Sequence, residues 1–228
     1  MISAEEQKNL LLDIARKLKR EITTFAIGGT AMLFLGLKDS TKDIDLVFTK
    51  EEDRKDFIEA ARKIGWTNLN SAIVYGRKEN KPIMLKFGDS RLDLFVRKVI
   101  YFEFSEEMQK RAIKTRQFEK NLLLKIADMH DIILMKCATD RIKDIDDAKT
   151  IIENTEIDFD ILFREAKNQL SLGKERTALE LGYFLEKLKS MKVDIPNKIL
   201  DDLWPILQKQ IKEKGKEFKK EKRLKKEK

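Results

Sequence analysis

Residues 43–48 read Asp-Ile-Asp-Leu-Val-Phe, a pair of acids alternating with apolar residues at the start of an apolar run. On an extended strand successive side chains point to opposite faces. Asp43 and Asp45 therefore share one face, roughly 7 Å apart, and Ile44 and Leu46 share the other. Two carboxylates side by side on a core strand repel each other unless cations neutralise them. Just upstream, Phe25-Ala26-Ile27 is short and apolar, Gly28-Gly29-Thr30 breaks it, and about two turns of helix, roughly 12 Å, run on to Leu37. The turn at residues 38–42 then returns the chain to Asp43.

Two glycines between a strand and a helix let backbone approach a ligand closely. They aim free N–H groups and the positive end of the helix dipole at it, which suits phosphate. The pattern is not the Gly-x-Gly-x-x-Gly dinucleotide fingerprint, and no Gly-Lys-Ser/Thr follows to make a P-loop. Alone, the glycines also describe a tight turn, and an isolated Asp-x-Asp also describes a solvated strand end. Residues 91–96, Arg-Leu-Asp-Leu-Phe-Val, connect the two features, because Asp93 lies inside another apolar strand with Leu92 and Leu94 facing away from it. A strand aspartate beside an Asp-x-Asp strand completes a three-carboxylate cage for one or two Mg²⁺ ions. Such ions activate an attacking oxygen and stabilise a leaving phosphate oxygen.

Composition supports oxygen ligation. The chain has one cysteine, Cys137, and one histidine, His130, which excludes an internal disulfide, a multi-Cys zinc site and a His-rich centre. Both read as packing or surface residues, and Trp66 and Trp204 read as core anchors. The net charge of +8 is concentrated at the C-terminal end: residues 209–228 hold eleven Lys/Arg against four Glu, +7 in all, leaving +1 for residues 1–208. Bulk charge therefore does not argue for a nucleic-acid partner, although the basic tail is a candidate contact. No run of about 18 apolar residues exists and the N-terminus shows no signal pattern, so a cytoplasmic protein without a membrane partner is expected. The 39% charged content points to a thermophilic source.

Ser3 and Glu6 form a capping box ahead of Leu10, Leu11, Ile14 and Leu18 at helical spacing. Residues 51–64 place Phe57, Ile58, Ala61 and Ile64 on one helix face. Three strand-like runs follow, Ser-Ala-Ile-Val-Tyr-Gly (71–76), residues 81–88 and residues 91–98, in a meander. A short helix at residues 104–113 and a strand at residues 120–127 come next, and from Met129 onward the pattern is wholly helical. These signals predict an α+β fold: a mixed-sheet head at residues 1–128, a helical C-terminal region at 129–208 and a frayed or disordered tail at 209–228.

The order Gly28-Gly29-Thr30, Asp43-Ile44-Asp45 and Asp93 resembles the active-site pattern of nucleotidyltransferases with the DNA polymerase beta-like fold, over residues 25–96. The resemblance implies a mixed sheet, with Gly28, Gly29 and Thr30 on the triphosphate of an NTP such as ATP. It puts Asp43 and Asp45 on both metals and Asp93 on the catalytic metal. Residues 131–152 extend the likeness to small prokaryotic nucleotidyltransferases that include the AbiEii-like toxins of toxin–antitoxin systems, through Lys136, Arg141, Lys143, Asp144 and Asp147. Lys136 would then touch the triphosphate, and Asp144 or Asp147 would order the site. A second reading makes Asp144 or Asp147 a helix-start charge, and Lys136, Asp140, Lys143 and Asp147 a solvated ion-pair stripe. The expected function is Mg²⁺-dependent transfer of NMP to an acceptor (a tRNA end, a protein side chain or a small molecule), with a small antitoxin as partner. The alternative is a catalytically inactive relative that binds nucleotide or RNA.

Overall fold

Ser3 and Glu6 exchange the expected hydrogen bonds, Glu6 N–H to Ser3 Oγ (3.2 Å) and Ser3 N–H to Glu6 Oε2 (2.7 Å). They start α1 (Ala4–Ala15) directly after the two-residue strand β1 (Ile2–Ser3). A reciprocal cap of this kind contributes about 1 kcal/mol. The computed structural model describes residues 1–139 and 141–224, with residues 211 and 213–224 described by backbone alone. Asp140 and much of the basic tail therefore lie outside the described side chains.

The chain continues through β2 (Ile22–Ala26), α2 (Gly28–Phe34), β3 (Ser40–Thr41), β4 (Asp43–Phe48), α3 (Glu51–Lys63), β5 (Thr67–Leu69), α4 (Ala72–Tyr75), β6 (Ile83–Phe87) and β7 (Ser90–Val96). The short strands β8 (Lys98–Val99) and β9 (Phe102–Glu103) lead to α5 (Glu106–Arg111), β10 (Lys114–Phe118) and β11 (Leu122–Ile126). The rest is helical, as the sequence predicts: α6 (Met129–Lys136), α7 (Ile142–Asn154), α8 (Phe159–Ser171), α9 (Arg176–Ser190) and α10 (Asn197–Leu224). Among the described residues, no helix is long and apolar enough to cross a membrane.

The main sheet runs β10-β11-β2-β4-β7-β6-β5, with β8 and β9 added beside β7, and β1 pairs separately with β3. It is mixed, since β11 with β2 and β4 with β7 are parallel and the other neighbours along this path are antiparallel. The β4–β7 register sets Asp45 opposite Asp93 and Asp43 opposite Arg91. Ile44, Leu46 and Phe48 are fully buried on one face of β4, where the Phe48 ring meets Phe57 of α3 at 5.4 Å. Each such side chain contributes roughly 1.5–3 kcal/mol by leaving water. The other face of β4 carries Asp43 and Asp45, followed by the buried Val47.

The helical half is joined to the sheet by a buried polar cluster. Arg111 of α5 donates to Asp131 of α6 (3.0 and 2.6 Å) and to Glu165 of α8 (2.5 Å). Gln169 exchanges hydrogen bonds with the Glu103 backbone (2.9 and 2.7 Å).

Some expectations need correction. Residues 71–76 are not a strand: Asn70 Oδ1 accepts the Ala72 N–H (2.9 Å), α4 follows, and Gly76 at φ +56° ends it. This local side-chain bond outcompetes the β-branched preference of Ile73 and Val74. The meander exists, but its first strand is β5. Trp66 is buried as expected, whereas Trp204 is 57% exposed on α10 and is no core anchor. Strand β10, at the sheet edge, carries an exposed run with no apolar alternation to reveal it.

Candidate active site

The turn from β2 to α2 is fitted to β4 by contacts that need glycine. Gly28 has φ +54°, a backbone region that L side chains rarely adopt, and a Cβ there would lie 3.1 Å from Asp45 Oδ2. A Cβ on Gly29 would lie 2.8 Å from Thr41 Oγ1. Ile27 N–H donates to the Asp45 carbonyl (3.1 Å). Thr30, fully buried, accepts the Asp45 N–H (2.9 Å) and donates to the Asp43 carbonyl (3.3 Å). The phosphate-suited turn and the acid pair are thus one unit.

Across the sheet the order is Gly28 beyond β2, Asp45 on β4, Asp93 on β7, and then Tyr75 of α4. Asp93 is fully buried. Its Oδ1 accepts Arg91 Nε (2.9 Å), and its Oδ2 accepts the Tyr75 hydroxyl (2.6 Å) and Arg91 Nη2 (3.3 Å). Arg91 also ion-pairs with Asp43. Burial, with repulsion from Asp93 and Asp43, pushes the Asp45 carboxyl up to about 8. Burial likewise raises Asp43 and Asp93, although Arg91 opposes the shift at both and Tyr75 opposes it at Asp93. Arg91 ion-pairs directly with Asp43 and Asp93, while Lys136 acts on Asp45, and Lys143, Arg141 and Lys42 on Asp43, through their charge.

A small cavity of about 80 Å³ opens beside these groups, lined by Gly28, Gly29, Asp45 and Tyr75 and, from the helical side, by Lys136, Arg141 and Asp144. Here three cations face two carboxylates. Lys136 Nζ donates to Asp144 Oδ1 (2.8 Å) and Asp147 Oδ2 (2.5 Å), Arg141 Nε donates to Asp144 Oδ2 (2.8 Å), and Lys38 pairs with Asp147. Burial acts to raise both carboxyls, but Lys136 and the surrounding donors outweigh it and hold them below the ordinary aspartate value. Burial would lower Lys136, but the two aspartates raise it. A second cavity of about 530 Å³ adjoins the first, with Tyr75, Ile100 and Thr139 lining both.

Among the described residues, no three His, Cys, Asp or Glu side chains converge closely enough to hold a metal ion. Arg91 lies between Asp43 and Asp93 and supplies the cation there. The donors nonetheless fit a hard divalent ion, being carboxylate oxygens on adjacent strands, in register and incompletely neutralised.

Of the residues predicted from sequence, Gly28, Gly29, Asp45, Lys136 and Asp144 line the cavity together. Asp43 and Asp93 stand beside them, bridged by Arg91. Thr30 does not reach the cavity, its hydroxyl being committed to the β4 backbone. Lys136 meets both Asp144 and Asp147, with Asp140 outside the described residues. Sequence reasoning missed Arg91, Tyr75 and Lys38. Arg91 had a signal, since it lies two residues before Asp93 on the same strand face; Tyr75 and Lys38 had none.

The family described as "Nucleotidyltransferase of unknown function (DUF6036)" matches residues 2–189. No curated protein matches the chain. Among solved structures, ANT(2")-Ia in complex with adenylyl-2"-tobramycin aligns at 17% identity and a TM-score of 0.43, covering 79% of this chain and 98% of its own. JHP933 from Helicobacter pylori aligns at 14% identity and a TM-score of 0.40, covering 98% and 99%.

Proposed function

The chain belongs to this nucleotidyltransferase family and is a transferase, and on that premise we propose that it moves NMP from an NTP to an acceptor hydroxyl with the help of Mg²⁺. The observation that carries this reading is the row of three carboxylates on β4 and β7. Asp45 and Asp93 are in register, Asp43 shares a strand face with Asp45, the Gly28-Gly29 turn lies beside them, and Arg91 ion-pairs with Asp43 and Asp93. Asp43, Asp45 and Asp93 are the residues that would hold Mg²⁺, which when bound supplies charge neutralisation and polarises phosphate and hydroxyl oxygens.

The backbone at Gly28 and Gly29 receives the phosphates, close to the cavity wall formed by Lys136 and Arg141. Thr30 fixes the distance between that turn and Asp45 through its two backbone hydrogen bonds. Asp144 and Asp147 hold Lys136 in place at the cavity edge. Asp93 lies on the strand beyond Asp45 from the glycines, and its carboxylate, held in the nucleotide-free protein by Tyr75 and Arg91, would take the acceptor proton once released from them.

Labelled NTPs, offered with Mg²⁺ and RNA, protein or small-molecule acceptors, test the reading through pyrophosphate release. Absence of turnover in the intact protein overturns it, as does turnover that survives loss of both Asp43 and Asp45. The toxin role rests on residues 131–152 alone. It predicts growth arrest on expression that Asp45→Asn relieves.

A further inference from the structure

Asp93 is the least exposed carboxylate among the described residues. It is fully buried, and both its oxygens are taken: Oδ1 by Arg91 Nε at 2.9 Å, and Oδ2 by the Tyr75 hydroxyl at 2.6 Å and Arg91 Nη2 at 3.3 Å. The same guanidinium reaches Asp43. These hydrogen bonds take all but one of the roughly four acceptor sites of a carboxylate, so a further cation must compete with them, which agrees with the absence of a converged metal-holding group among the described residues.

The two capping residues are anchored differently. Arg91 is on β7 itself. Tyr75 ends the one-turn helix α4, which buries none of its residues and has Ile73 at 75% and Val74 at 39% exposure. Gly76 at φ +56° and Asn80 at φ +44° flank the turn that follows. Besides Asp93, the Tyr75 ring meets Phe95 edge-on at 6.1 Å. A segment with so little buried surface releases its one inward side chain at low cost.

Resting on the reaction proposed above, we propose that Arg91 and Tyr75 are positioning residues. They cap Asp93 in the nucleotide-free protein and yield it to the metal that arrives with the nucleotide. Because Tyr75 lines both cavities, its departure also joins the metal side of the site to the larger cavity.

Mn²⁺ alone, titrated into the full chain and followed by electron paramagnetic resonance, tests the cap. Tyr75→Phe keeps the ring against Phe95 and removes only the hydroxyl. It is expected to bind Mn²⁺ about tenfold more tightly than the unaltered chain, the scale of one hydrogen bond to a charged group. Arg91→Gln is expected to tighten binding as well, and Asp45→Asn in the Tyr75→Phe background to weaken it. A folding defect does not tighten metal binding, so a gain in affinity separates the cap from a merely structural role. Affinity in both Tyr75→Phe and Arg91→Gln that equals or falls below that of the unaltered chain, including no binding in any of them, overturns the cap. If transfer still depends on Asp43 and Asp45, the reaction stands without it. Mn²⁺ binding indifferent to Asp45→Asn overturns the metal site itself.

Discussion

Asp43, Asp45 and Asp93 on the sheet and Asp144 and Asp147 on α7 are aspartates on two sides of one cavity, and their surroundings treat them in opposite ways. On the sheet side three carboxylates share Arg91 and one hydroxyl, and burial pushes all three up, with repulsion adding to it at Asp45, which reaches about 8, and at Asp93. On the helical side two carboxylates share Lys136, Lys38 and Arg141, and their acidity is strengthened. Buried carboxylates with ample partners serve as structure, while those left short of charge are equipped to take on a cation. The difference separates a scaffold from a reactive site that composition alone cannot tell apart.

The comparison is broken most severely by replacing both Asp43 and Asp45 with Asn. NMP transfer should fall by about 10³-fold or more, on the scale of removing the main electrostatic stabilisation of a transition state. The melting temperature should not fall, because repulsion is relieved. Labelled-NTP turnover and calorimetry on the same sample check both halves.

Lys136→Met attacks the other side. Leaving Asp144 and Asp147 without their shared buried cation should cost roughly 3–5 kcal/mol, read from urea unfolding. Thr30→Val, which keeps the shape but leaves the buried Asp45 N–H without its acceptor, should cost about 1–3 kcal/mol and slow transfer by shifting the acids relative to the glycines.

The smallest effect is in acid. The folded values of Asp144 and Asp147 lie below their ordinary 3.8, so the stability they contribute is complete above pH 3.8 and is lost as the pH falls through the lower folded values. Melting temperatures followed from about pH 5 downward should show this loss, and Lys136→Met should flatten it.

Legibility in the sequence followed the range of the interactions. The Ser3–Glu6 cap, the Phe57 face of α3, the facing of Asp43 and Asp45 and the glycine turn were all readable, because each is settled within a few residues. The run at 71–76 was misread because Asn70, a residue just outside it, accepts the Ala72 N–H in a turn that opens a helix there. Lys38 was invisible because its partner Asp147 lies 109 residues away. The tie between Arg111, Asp131 and Glu165 was hidden for the same reason, with partners 20 and 54 residues distant.

By itself, then, the sequence determined most of the local alternation of strand and helix, the face on which each acid sits and the presence of a glycine turn between β2 and α2. Those follow from backbone geometry and side-chain periodicity. Only the tertiary structure decided that Asp45 stands opposite Asp93, that Arg91 and Tyr75 cap Asp93, and that Lys136 is shared by two aspartates. Each of these depends on strand register or helix docking, which the burial of Ile44, Leu46, Leu92 and Leu94 in a common core enforces and no short window of residues encodes.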